Sequence, residues 1–164
     1  MNKNIQNILN LLSSIEKYDN ENSGYAVGKK TIKKVFDALD GGSQENILAR
    51  LTLIDSMYST QMGRRYYGLE ELSEVLAKLQ KRQNLTSLFL NLLKDKDVNK
   101  FTIICSGAKL NLFTEKYGIG KEGNDKGQAI SLITKYAYFE TNFQFPIYDS
   151  IVREMYPLLG ILWF

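Results

Sequence analysis

The chain has 164 residues, 44% hydrophobic and 24% charged, which is the composition of an ordinary globular domain. That length suits one domain spanning residues 1–164, able to bury about 70% of its unfolded surface. Twenty-one Lys and Arg against eighteen Asp and Glu give a net charge of +3, which permits nucleic-acid binding without demanding it. There is no histidine and a single cysteine, Cys105. Ser-His-Asp and Cys-His mechanisms, multi-cysteine zinc sites and internal disulfides are therefore excluded within this chain. Any general base must be Asp, Glu, Lys or Tyr. No EF-hand spacing is present, and the expectation is a site without metal or organic cofactor.

The two prolines, Pro146 and Pro157, both lie late, so the first 145 residues favour long helices. Ile5, Ile8, Leu9, Leu12 and Ile15 predict a helix over residues 3–18. The polar stretch from Asp19 to Gly28 reads as a loop. Ile32, Val35, Phe36 and Leu39 predict a helix over 29–39, with Lys29, Lys30, Lys33 and Lys34 on its other face and Asp40-Gly41-Gly42 as its stop. Ser43 is placed to cap a helix over 44–58, with Ile47, Leu51, Ile54 and Tyr58 as its stripe.

A connector follows from Tyr58 to Gly68. Further helices are expected over 69–80 and over 83–94, the second through Leu85, Leu88, Leu90, Leu92 and Leu93. The stretch Phe101–Phe113 fits either a strand, at FTIIC, or a helix. Gly118–Gly127 reads as a loop, residues 128–139 as a buried helix, and Thr141–Ile147 as a turn. Asp149 or Ser150 can cap a last helix, which Pro157 interrupts. The sum is an all-α, compact single domain of about seven helices.

No run is long and apolar enough for a membrane span, and the polar amphipathic start, MNKNIQNILNLLSS, does not read as a signal peptide. The expected setting is reducing and cytoplasmic.

Chemistry concentrates late in the chain. Lys135 stands in an otherwise apolar helix; a turn and Phe145-Pro146-Ile147-Tyr148-Asp149 follow, then Ser150-Ile151-Val152-Arg153 opens a new helix. An aspartate at a helix N-terminus is kept ionised by backbone N–H groups and the helix dipole, and phosphate suits the same place. Upstream, Arg64-Arg65-Tyr66-Tyr67 mixes cations with aromatics, as binders of single strands and flipped bases do. It equally fits a surface loop with cation–π packing. The Lys29–Lys34 cluster fits a solvated helix face or a phosphate contact.

Pro146-x-x-Asp149-x-x-Val152-Arg153 resembles a stretch of the helix-hairpin-helix DNA glycosylases. Thr134-Lys135 with Phe145–Ser150, together with Met57-Tyr58-Ser59-Thr60, is similar to a set of small bacterial all-α proteins related to that superfamily. The resemblance covers residues 131–153, with weaker support from 51–62.

It implies a glycosylase-like helical fold that binds DNA and flips a base into a pocket. Asp149 would fall on the aspartate that activates the nucleophile and stabilises charge building on the deoxyribose. Lys135 would fall on the Schiff-base lysine of bifunctional members, although the common pattern has that lysine one helical turn earlier, at the place of Ser131. Tyr117-Gly118-Ile119-Gly120-Lys121 has the letters of the phosphate-holding hairpin, but the next helix starts only near Gly127. The nucleic-acid contacts expected are Arg64, Arg65, Tyr66, Lys29, Lys33, Gly118, Gly120, Lys121, Ser150 and Arg153.

Two alternatives stay open. One is a non-catalytic interaction or inhibitor protein, such as a mobile element encodes, using the apolar tail Leu158–Phe164 to meet a protein partner or a second copy of itself. The other is a DNA-binding relic of the glycosylase fold without chemistry.

Overall fold

The computed structural model describes residues 24–94, 102–105, 108–120, 123 and 126–149. Five α-helices lie in that range: α1 (Gly24–Ala38), α2 (Gln44–Tyr58), α3 (Gly68–Arg82), α4 (Leu85–Lys94) and α5 (Ile130–Glu140). They are the five expected helices that fall on described residues. The expected helices over 3–18 and after Asp149 lie outside them, as does the apolar tail.

Helix α2 is the central element and packs against α1, α3 and α5. Its start follows from Ser43, whose backbone is extended and whose side-chain hydroxyl accepts a hydrogen bond from the Asn46 N–H at 3.2 Å. Ile47, Leu51 and Ile54 are fully buried. Each such side chain contributes about 1.5–3 kcal/mol of transfer free energy. Acids in the first turn of α3, Glu70 and Glu71, and bases in its last, Lys81 and Arg82, match the helix dipole. Helix α5 is buried on nearly every side: Leu132, Ile133, Tyr136, Ala137 and Phe139 pack into the core beside Thr134 and Lys135.

Several boundaries move. Helix α1 begins at Gly24, inside the expected loop. Ala26 is buried in the core, and Gly28 lies against the end of α2, where the Met57 side chain crosses it. Tertiary packing overrides weak helix propensity here. Helix α4 starts at Leu85 because Asn84 accepts the Ser87 N–H at 3.0 Å and Gln80 accepts the Leu85 N–H at 2.8 Å. Its buried face is Leu85, Leu88, Phe89 and Leu92, while Leu93 is exposed.

The ambiguous stretch resolves as an antiparallel pair, β1 (Thr102–Cys105) with β2 (Ala108–Asn111), in register Thr102↔Asn111 to Cys105↔Ala108. The β-branched run Thr102-Ile103-Ile104 favours that outcome. A second small pair, β3 (Lys116–Tyr117) with β4 (Gly127–Gln128), brackets the glycine-rich segment. The fold is mostly helical with two short hairpin-like pairs. No helix among the described residues is long and apolar enough to cross a membrane.

Candidate functional site

Thr134 sets the site by clasping the chain that returns from α5. Its hydroxyl oxygen accepts the Tyr148 N–H at 3.1 Å and lies 3.2 Å from the Tyr148 carbonyl. Just before, the turn is fixed by Thr141, whose hydroxyl accepts the Phe145 N–H at 2.9 Å, and by burial of Phe145. Segment 145–149 therefore runs back along α5, and Asp149 arrives beside Lys135.

Lys135 is 4% exposed. Its ammonium donates to the Ser131 hydroxyl at 2.7 Å and to Asp149 Oδ2 at 3.3 Å, and it sits 5.6 Å from the centre of the Tyr58 ring. The Asp149 side chain keeps 26% of its surface open. Both residues line an open cleft of about 630 Å3. That size suits a small-molecule or single-nucleotide group.

The other wall is the connector after α2, with a one-turn 3-10 helix at Met62–Arg64. Tyr58, Thr60 and Gln61 line the cleft from this side, as do Arg64 and Arg65. Lys135, Arg64 and Arg65 outnumber Asp149, so the lining is net positive. Arg65 lies across Gly127, where a Cβ would fall 2.3 Å from the guanidinium carbon. A smaller hollow of about 350 Å3 lies behind Arg64 and Arg65, toward Tyr66 and Tyr67.

The expected residues divide. Asp149, Lys135, Arg64, Arg65 and Gly120 meet at the cleft. Tyr66 stands 59% exposed beside it and forms a lone antiparallel bridge with Ile119. Gly118 and Ile119 are not presented as a phosphate cradle. The Gly118 N–H donates to Glu71 Oε2 at 2.8 Å, and the Ile119 N–H donates to the Tyr66 carbonyl at 3.0 Å. The Gly118 bond, seconded by Lys126, lowers the Glu71 pKa below its ordinary carboxylate value. Gly118 adopts φ of +65° and packs directly on Gly68, a close approach that a Cβ would block at 2.8 Å from the Gly68 Cα.

Lys29 and Lys33 do not line the cleft. Lys29 stacks over Phe143 at 4.8 Å, and Lys33 pairs with Asp37 on its own helix. Lys121, Ser150 and Arg153 lie outside the described residues, so the capping of a helix by Asp149 does too.

Ser131, Tyr58, Thr60 and Gln61 complete the cleft without having been singled out as site residues. A signal existed for Ser131, one turn before Lys135 on the same helix face. Among the described residues no group of three or more Asp, Glu or Cys is placed to hold a metal ion. The chain matches no family model, no curated protein and no solved structure.

Proposed function

We propose that the protein binds DNA and cleaves an N-glycosidic bond, releasing a base held in the cleft beside Lys135 and Asp149. The observation that carries this reading is the Lys135–Asp149 pair itself: an ammonium buried in the helix core, joined at 3.3 Å to a carboxylate that still faces an open, net-positive cleft. Burying an ammonium is costly, and one paired with a carboxylate that opens into a cleft is where a functional group is expected.

The chemistry follows from the parts. Arg64 and Arg65 supply charge for the phosphates flanking the nucleotide. As the bond from C1′ to the base nitrogen breaks, the base leaves with the electron pair and the sugar becomes cationic. Asp149 faces that charge and takes the proton of the water that adds to C1′, and that proton passes on to the departed base, which leaves the carboxylate free again. Lys135, 3.3 Å away, holds Asp149 aimed at that charge. The resemblance to helix-hairpin-helix glycosylases supports the same two residues and a glycosylase-like arrangement of the helices. Its hairpin is not supported at Gly118–Gly120.

The test is base release and strand cleavage on duplex and single-stranded oligonucleotides carrying a panel of damaged bases, wild type beside Asp149→Asn. Release by wild type, lost in the variant while DNA binding survives, is expected. Absence of binding to any strand at low salt would sink the nucleic-acid reading. A borohydride-trapped adduct that disappears in Lys135→Ala would add a covalent lysine step.

A further inference from the structure

Asp55 stands in the last turn of α2, where the negative end of the helix dipole disfavours a carboxylate. Its partners lie beyond the helix. Oδ1 accepts the Thr60 hydroxyl and the Met62 N–H, the latter at 2.8 Å, and Oδ2 accepts the Gly63 N–H at 2.7 Å. Both oxygens are thus spent on the segment that forms one wall of the cleft.

That segment takes an unusual path. Ser59 and Gln61 both adopt positive φ, at 49° and 65°, which non-glycine residues hold only when their surroundings impose it. Gly63 fits because nothing larger would: a Cβ there would lie 2.8 Å from Asp55 Oδ2. Tyr58, at one end, faces the Lys135 ammonium, and Arg64, at the other, lines the cleft.

We propose that Asp55 is a positioning residue of the site, a latch whose carboxylate fixes residues 58–64 so that Tyr58, Thr60 and Arg64 are set around the Lys135–Asp149 pair before substrate arrives. The proposal rests on the cleft being the place of reaction. Asp55 itself touches no reacting atom.

The test uses Asp55→Asn, which puts an NH2 against at least one of the N–H donors, with Thr60→Val and Gly63→Ala disturbing the same latch from the other side. Amide hydrogen exchange is followed at Met62 and Gly63, with Ile47 and Leu51 as core references. Exchange at the first two should quicken about ten-fold or more, with the core amides unchanged. On a released base, kcat should fall by about ten- to a hundred-fold while duplex affinity moves less than about three-fold, the mark of lost alignment rather than lost binding. Thr60→Ser, which keeps the hydroxyl, should restore kcat.

Unchanged exchange at Met62 and Gly63, or wild-type kcat despite faster exchange, would overturn the latch. If wild type releases no base, the function reading fails separately. The latch is then judged by exchange together with the rate at which acetic anhydride acetylates Lys135: both altered in Asp55→Asn upholds a fixed wall, and either one unaltered overturns it.

Discussion

Arg50 and Lys135 are both buried cations, 5% and 4% exposed, yet they occupy opposite kinds of place. Arg50 is closed in. Its guanidinium donates to Glu140 at 2.9 Å, to the carbonyls of Phe36 and Leu39, and, more weakly, to the Tyr136 hydroxyl at 3.4 Å, and it stacks on the Phe36 ring. Glu140 is itself mostly covered and accepts a second bond from Thr86. Among the buried side-chain polar atoms of the described residues, the Arg50 Nε lacks a partner. The network ties α1, α2, α4 and α5 together, satisfying the carbonyls at the end of α1. Lys135 has one hydroxyl, one carboxylate, the face of the Tyr58 ring and a cavity. A cation whose donors are spent on the fold is structural. One whose carboxylate partner opens into a cleft leaves that partner accessible to a ligand.

Breaking the Arg50 network should cost most. Arg50→Met leaves Glu140 part-buried without its cation and frees two carbonyls, and a loss of about 3–5 kcal/mol is expected in urea denaturation. A loss below about 1 kcal/mol would erase the contrast with Lys135.

Alkali probes the same network more gently. Burial, then the nearby Glu140 charge, push the Tyr136 pKa up from 10.0 to about 12, against the opposing pull of Arg50. Its folded value is raised, so the associated stability is complete below pH 10 and is lost as pH rises toward 12. On the order of 2–3 kcal/mol is at stake. Denaturation midpoints of wild type should fall across that window, and Tyr136→Phe should fall less. Equal slopes would show that the hydroxyl is not buried as described.

Thr134→Val is intermediate. It removes the hydroxyl from the Tyr148 N–H and keeps the side-chain volume, costing about 1–2 kcal/mol. If Asp149 is held by this clasp, activity should fall with it. A stable protein with full activity would mean that Asp149 is placed by something else.

The contrast was only partly legible in the sequence. The helical stripes found α2 and the core of α5 because burial follows the 3.6-residue period. Arg50 left a trace that hydrophobicity alone overlooks: it occupies the i+3 place between Ile47, Leu51 and Ile54, on the face that becomes buried. Lys135 and Asp149 were legible as a local pattern, fourteen positions apart. Their meeting depends on the Thr134 clasp and the turn at Thr141, which are long-range consequences of Phe145 entering the core. Asp55 was not legible, because its partners lie in a segment whose left-handed residues carry no glycine signature at Ser59 or Gln61. The β1 strand was legible as one of two readings of FTIIC, since short apolar runs suit a strand or a helix equally until the partner strand decides.

The smallest effect on stability is expected from Lys135→Met, and it is the most informative. Methionine fills the stem of the lysine without the cost of desolvating an ammonium. The carboxylate left behind on Asp149 keeps access to water through the cleft, so it is not stranded as Glu140 would be. The two terms oppose one another, and the net change should stay within about 1 kcal/mol of zero. Activity should behave in the opposite way, falling by about a hundred- to ten-thousand-fold if Asp149 depends on Lys135 for its aim as the general base. A loss of stability as large as that of Arg50→Met, with activity falling only in step with unfolding, would make Lys135 a second structural cation and leave the cleft without its chemistry.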